Sequence, residues 1–149
     1  MTPDERLEFA RRARELCNKN PDIIMHAIVV KKKNVMPHIQ QDANKLYNYM
    51  VRLAMLDRMA QFDVVTLVPD PRSIRVKSGN SMHDYLQTEL WFEKKAVTNL
   101  VTSPADSATS LAVQFADMLA GTVQSSFELN SSAGIQIIQP CLHLLRLFF

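Results

Sequence analysis

Along the first stretch of the chain, Phe9, Ala10, Ala13, Leu16 and Cys17 recur at three- and four-residue steps, with the arginines largely on the other face. That spacing predicts an amphipathic helix with one buried stripe. Thr2-Pro3-Asp4-Glu5 marks its start: Thr2 caps, Pro3 suits the first turn, and Glu5 completes a capping box. Asn18 to Pro21 ends it. The run Ile23–Val30 is apolar throughout except for His26, and rich in β-branched residues. Such a run predicts a strand covered on both faces, the central strand of an α/β sheet.

Beyond an exit loop at Lys31–Asn34, the spacing of Ile39, Ala43, Leu46, Met50 and Leu53 predicts one long helix from about Pro37 to Gln61. Val64–Val68 reads as a second buried strand, broken at Pro69-Asp70-Pro71. Ser73–Lys77 alternates polar and apolar residues, as an extended segment with one wet face or a loop. Ser78–Ser81 reads as a turn that caps a helix from about Met82 to Glu93, with Met82, Tyr85, Leu86 and Leu90 facing inward. Val97–Val101 is a third short strand. A further helix, capped by Asp106 or Ser107, runs to about Phe127 with Leu111, Phe115, Met118 and Thr122 on its apolar face. The tail carries Ile135–Ile138 and Leu142–Phe149, and the latter is apolar enough to demand a packing partner. Strands alternating with helices, joined by crossovers long enough for parallel pairing, predict one α/β layered domain over residues 1–149.

Composition narrows the class without naming a function. At 149 residues, 47% hydrophobic and 21% charged, the chain has the make-up of an ordinary globular protein. A net charge of +2 is too small to argue for nucleic acid or membrane. No apolar run reaches the roughly 18–20 residues that span a bilayer, and the charged N-terminus has no secretory pattern, so the expected setting is cytoplasmic. Cys17 and Cys141 lack metal-type spacing and are expected as buried, reduced thiols. His26, His38, His83 and His143 are scattered without ligand spacing, and three glycines leave little for a phosphate-cradling loop.

The candidate chemistry rests on acids in unusual settings. Asp70 follows the end of a strand, where ligands collect in open α/β sheets, although Pro-Asp-Pro is equally good turn chemistry. Asp117 shares a stripe of small and polar residues with Ser107, Ser110, Gln114 and Gly121, which reads as one wall of a cleft or as a solvent face. Asp106 suits a helix cap, with metal binding as its lesser role. Should these acids converge, oxygen-only ligation suits Mg²⁺ or Mn²⁺ and phosphoryl chemistry, with Asp70 and Asp117 catalytic. Arg72, Arg75 and Lys77 would then hold a nucleic-acid backbone.

Val68-Pro-Asp-Pro-Arg72, then Ile74-Arg-Val-Lys-Ser-Gly-Asn-Ser81, Asp84-Tyr-Leu-Gln87, Leu90-Trp91, Asp106-Ser107 and Gln114-Phe-Ala-Asp-Met-Leu-Ala-Gly121 occur in this order. Together with Lys45-Leu-Tyr47-Asn48, they resemble the domain-of-unknown-function family numbered 3800 from about Ile23 to the C-terminus. The resemblance implies a ribonuclease H-like layered sheet with flanking helices and a metal-dependent nuclease or nucleic-acid-processing role, in a family common in bacteria, prophages and mobile elements. It puts the family's metal-binding acids on Asp70, Asp106 and Asp117. Family members begin with a strand bearing an Asp-Glu-Ser-Gly-like turn, which this chain lacks, so the expectation is a truncated member without the first strands and without one acid. An orphaned sheet edge then invites a homo-oligomer or a protein partner. The alternative function is a catalytically inactive interaction protein, for example in phage–host conflict.

Overall fold

The computed structural model describes residues 1–71 and 76–149, and for residues 76–81 it describes the backbone only. The elements run α1 (Pro3–Lys19), β1 (Met25–Val30), α2 (Pro37–Gln40), α3 (Ala43–Met59), β2 (Val64–Leu67), α4 (Val76–Thr88), β3 (Asn99–Thr102), α5 (Leu111–Glu128), α6 (Ala133–Ile138) and β4 (Leu142–Leu147). This is a mixed α/β protein dominated by helix. Short 3-10 turns at Lys32–Asn34 and Gln139–Cys141 and a π-helical turn at Glu89–Glu93 also occur among the described residues. The chain divides into two compact units: the first holds 1–29 and 114–147, the second 30–113 with the last two residues.

In the first unit, α1 forms as its sequence dictates. The Thr2 hydroxyl accepts from Glu5 N–H at 3.2 Å, and the Glu5 carboxylate accepts from Thr2 N–H at 2.6 Å. Those bonds hold the Glu5 carboxyl below its ordinary value, the backbone donor of Thr2 first and its side chain second. Phe9, Ala10, Ala13 and Cys17 form the buried stripe and meet Met25, Leu119 and Ile138. Phe9 and Phe115 pack as tilted rings with centroids 5.2 Å apart. The apolar tail forms β4, which pairs with β1 and half-buries Leu142, Leu144 and Leu147, whereas Leu145 and Phe149 stay exposed. Here the expectation of a central strand fails: β1 and β4 make a sheet of two strands, and β1 is half-buried after Met25. An unbroken apolar run is equally at home on a small sheet packed against helices.

The second unit is built on a parallel pair, β2 beside β3, with Val64 opposite Asn99 and Leu67 opposite Thr102. Val65, Leu67 and Leu100 turn to one side, where Leu56 and Met59 of α3 and Met82, Leu86 and Leu90 from α4 and its π-turn form the core. The other face carries Val64, Thr66, Asn99 and Val101, all exposed, so β2 is half-covered rather than buried as its sequence suggests. The long helix expected from Pro37 breaks after Gln40. Asp42 leaves helical geometry (φ −116°, ψ 71°) and its carboxylate accepts from Lys45 N–H at 3.1 Å, capping α3 anew. Helix also replaces the turn expected at Ser78–Ser81, while residues 73–75 of the expected extended segment lie outside the described residues.

A buried polar network sets the start of β3. Thr98, fully buried, donates its hydroxyl to the carbonyls of Phe62 (2.7 Å) and Met59 (3.3 Å). Gln87 donates to Thr98 O at 2.8 Å and accepts from Leu100 N–H at 2.8 Å, and Trp91 Nε1 also donates to Thr98 O at 3.1 Å. Arg52 and Glu89 add an ion pair of 2.8 Å between α3 and the π-turn. The helix ends at Lys95, which takes a left-handed conformation (φ 50°) as Ala96 N–H reaches back to Leu90 O.

Candidate functional site

Parallel hydrogen bonding continues beyond the two short strands of the second unit. Ser103 N–H donates to Leu67 O at 2.9 Å and Ala105 N–H to Pro69 O at 3.1 Å. The chain therefore carries Asp70 and Asp106 off the same, carboxyl-terminal end of the β2–β3 pair. This is the end where open α/β sheets gather ligands, because the loops there are free to vary while the strands hold them in place.

The two acids are built differently. Asp70 is half-buried and directs its charge at Tyr47 of α3. The Tyr47 hydroxyl titrates above its ordinary range, chiefly through burial and secondarily through that negative charge. Asp106 is exposed and closes an Asx turn: its Oδ1 accepts from Ala108 N–H at 2.8 Å, and its carbonyl accepts from Thr109 N–H at 3.0 Å and Ser110 N–H at 2.9 Å. The cap of α5 expected from Asp106 or Ser107 belongs instead to Ser110, whose hydroxyl accepts from Val113 N–H at 3.3 Å. Three extra residues of turn separate the acid from the helix, so its carboxylate serves the loop.

Asp117 lies on α5 in the first unit and is exposed, as is Gln114 on the same stripe. The buried face of α5 carries Leu119, Thr122 and Val123, with Phe115 and Met118 half-buried, whereas Leu111 stands in solvent. Gly121 has nothing within 4 Å of the position its Cβ would take, so no neighbour presses on it. Arg72 and Arg75 lie outside the described residues, and Lys77 is described only by its backbone in the first turn of α4.

One neighbour of this sheet end escaped the sequence reading. His83 of α4 places Nδ1 2.8 Å from the hydroxyl of Thr102, the last residue of β3. That contact holds the imidazole ring against the last residue of β3. Nothing local marks His83, since its partner lies 19 residues away and the contact depends on α4 crossing the sheet. In the first unit, His26 and His143 stack across the β1–β4 pair with ring centroids 4.8 Å apart.

Among the described residues, no group of three or more His, Cys, Asp or Glu side chains is arranged around a common metal position. Among the described residues, no helix is long and apolar enough to cross a membrane. Comparison with protein-family models, with curated proteins and with solved structures returns no match to this chain.

Proposed function

We propose that the chain is a ribonuclease H-like, divalent-metal-dependent protein acting on nucleic-acid phosphodiesters, with Asp70 and Asp106 as its metal-binding carboxylates. The observation that carries this reading is the continued parallel register, which takes both acids off one end of β2–β3. Oxygen donors alone select Mg²⁺ or Mn²⁺, and such an ion, when bound, activates water and neutralises phosphate charge. The chain's own part is to hold the two carboxylates on a rigid sheet end and to keep the His83 ring oriented through Thr102. Arg72, Arg75 and Lys77 follow Asp70 directly in sequence and supply cations for the backbone of the polymer. Cleavage of DNA and RNA in Mg²⁺ or Mn²⁺, with the metal omitted as control, tests the reading. Activity that falls at least about tenfold in Asp70→Asn and Asp106→Asn supports it. Metal-independent cleavage, none at all, or undiminished cleavage by both variants overturns it.

A second reading, an interaction protein, is favoured by the bare face of the same sheet. Val64 is 63% exposed and Val101 49%, and Phe62 and Val68 extend the apolar surface. Parallel strands are ordinarily covered on both faces, so an uncovered pair is suited to a protein partner or a second copy of the chain. Sedimentation of the wild type against Val64→Glu/Val101→Glu separates the cases: a wild-type oligomer that the double variant dissolves supports self-association, and identical monomers refute it.

A further inference from the structure

The two cysteines stand 124 positions apart in sequence, yet the first unit brings both to one core cluster. Cys17 belongs to the buried core at the end of α1, and Cys141, in the turn that leads into β4, packs against that core. The Cys141 thiol reaches back to the end of α1, donating at 3.8 Å to Oδ1 of Asn18, the residue after Cys17; the Cys17 thiol is pushed above its ordinary value chiefly by burial and secondarily by neighbouring Cys141. Both sulfurs are free.

We propose that Cys17 and Cys141 form a reversible disulfide, closed by hydrogen peroxide, that ties the end of α1 to the start of β4. The order of events follows from access. Cys17 is only 9% exposed, and burial above all holds its thiol protonated, so the peroxide meets the more accessible Cys141 first. The Cys141 thiolate attacks a peroxide oxygen, the O–O bond breaks, and the departing hydroxide takes up a proton as water. Cys141 is now a sulfenic acid. The Cys17 sulfur attacks the Cys141 sulfur, the S–O bond breaks, and the hydroxide released combines with the Cys17 proton as a second water. Two thiols lose two electrons and one peroxide gains them. A dithiol returns the bond to two thiols by exchange through a mixed disulfide. The proposal is independent of any chemistry at Asp70 and Asp106, which lie in the other unit.

The test uses the full chain, treated with hydrogen peroxide under native conditions and mapped by mass spectrometry without reduction. The expected result is loss of both titratable thiols, one linked peptide pair containing Cys17 and Cys141 within a single chain, and recovery of both thiols with dithiothreitol. In Cys17→Ser, Cys141 is expected to stop at a sulfenic acid that dimedone labels. In Cys141→Ser, Cys17 is expected to resist the same peroxide. Persistence of both thiols, a disulfide between two chains, or Cys141 driven to sulfinic acid beside an intact Cys17 thiol overturns the proposal. The wild-type map decides the matter even where a serine variant fails to fold.

Discussion

Replacing Gln87 with leucine tests what holds the second unit in register. The amide of Gln87 satisfies two backbone groups at once, Thr98 O and Leu100 N–H, each at 2.8 Å. Leucine keeps most of the side-chain volume but removes both partners. Thr98 O retains the indole of Trp91, whereas the hydrogen bond to the Leu100 donor is lost. An orphaned buried donor costs about 1–3 kcal/mol, and the second lost bond adds about 1 kcal/mol. The sum, about 2–4 kcal/mol, is a large part of the roughly 5–15 kcal/mol of a whole domain. With a urea slope of about 2 kcal/mol per molar, the midpoint should fall by about 1–2 M. The single tryptophan, Trp91, sits in the network itself, so its fluorescence reads this unit's unfolding directly. Gln87→Glu sharpens the test. A carboxylate there still accepts from Leu100 N–H but faces Thr98 O without a proton, so burial and that carbonyl raise its folded pKa above the unfolded value of about 4.3. The variant should therefore approach wild-type stability below pH 4 and lose it as pH rises through the folded pKa. A midpoint shift under about 0.5 M for Gln87→Leu, or a pH-independent Gln87→Glu, would refute the network's role.

Three further outcomes are expected. Tyr47, raised mainly by burial and then by Asp70, should contribute stability that is complete below its unfolded pKa of about 10 and lost as pH rises through its higher folded value. Ultraviolet titration of Asp70→Asn should show Tyr47 ionising at lower pH than in the wild type but still above the ordinary range, and an unchanged titration would mean the two groups do not face each other. Gly121→Ala should raise helix stability by about 0.5–1 kcal/mol, because the new methyl meets nothing within 4 Å, whereas Gly134→Ala should lower it by about 1–3 kcal/mol. The difference arises because the Gly134 methyl would lie 3.0 Å from Thr122 Cγ2, whose hydroxyl is already committed to Met118 O at 2.9 Å; equal melting temperatures for the two variants would contradict it. Lys95→Gly, at a left-handed position, should raise the thermal midpoint through relief of about 1 kcal/mol of backbone strain, and a lowered midpoint would show that the lysine side chain outweighs its conformation.

What could be read from the sequence was local. The capping box of α1 forms with the partners its spacing dictates, because all its atoms lie within one helical turn. The stripe of Met82, Leu86 and Leu90 and the short strand of the Val97–Val101 region also emerge, since side-chain periodicity alone identifies them. Asp42 was readable in principle as a cap inside the apolar run, but the run's periodicity outweighed it. Sheet order was out of reach: β1 pairs with a strand more than 110 residues away, and no property of Met25–Val30 names that partner. The site suffers the same limit. Asp70 stood out as a residue, but that it leaves the same sheet end as Asp106 depends on the register between β2 and β3, and His83 gains its setting only through Thr102.

The first unit is assembled from both ends of the chain, with 30–113 between its halves. On the ribosome this imposes an order. The second unit has nearly all of its residues in hand while the chain is still growing, and can close around Leu56, Met82 and Leu100 early. Helix α1 is made before its partners in the core and waits for α5 and α6, a delay on the order of ten seconds at roughly 5–20 residues per second. Over that interval Phe9, Ala10 and Ala13 present a naked apolar stripe to the cell. A nascent-chain holdase would find its binding window there, and a ribosome stalled before residue 114 would release a folded middle with a sticky amino-terminal helix.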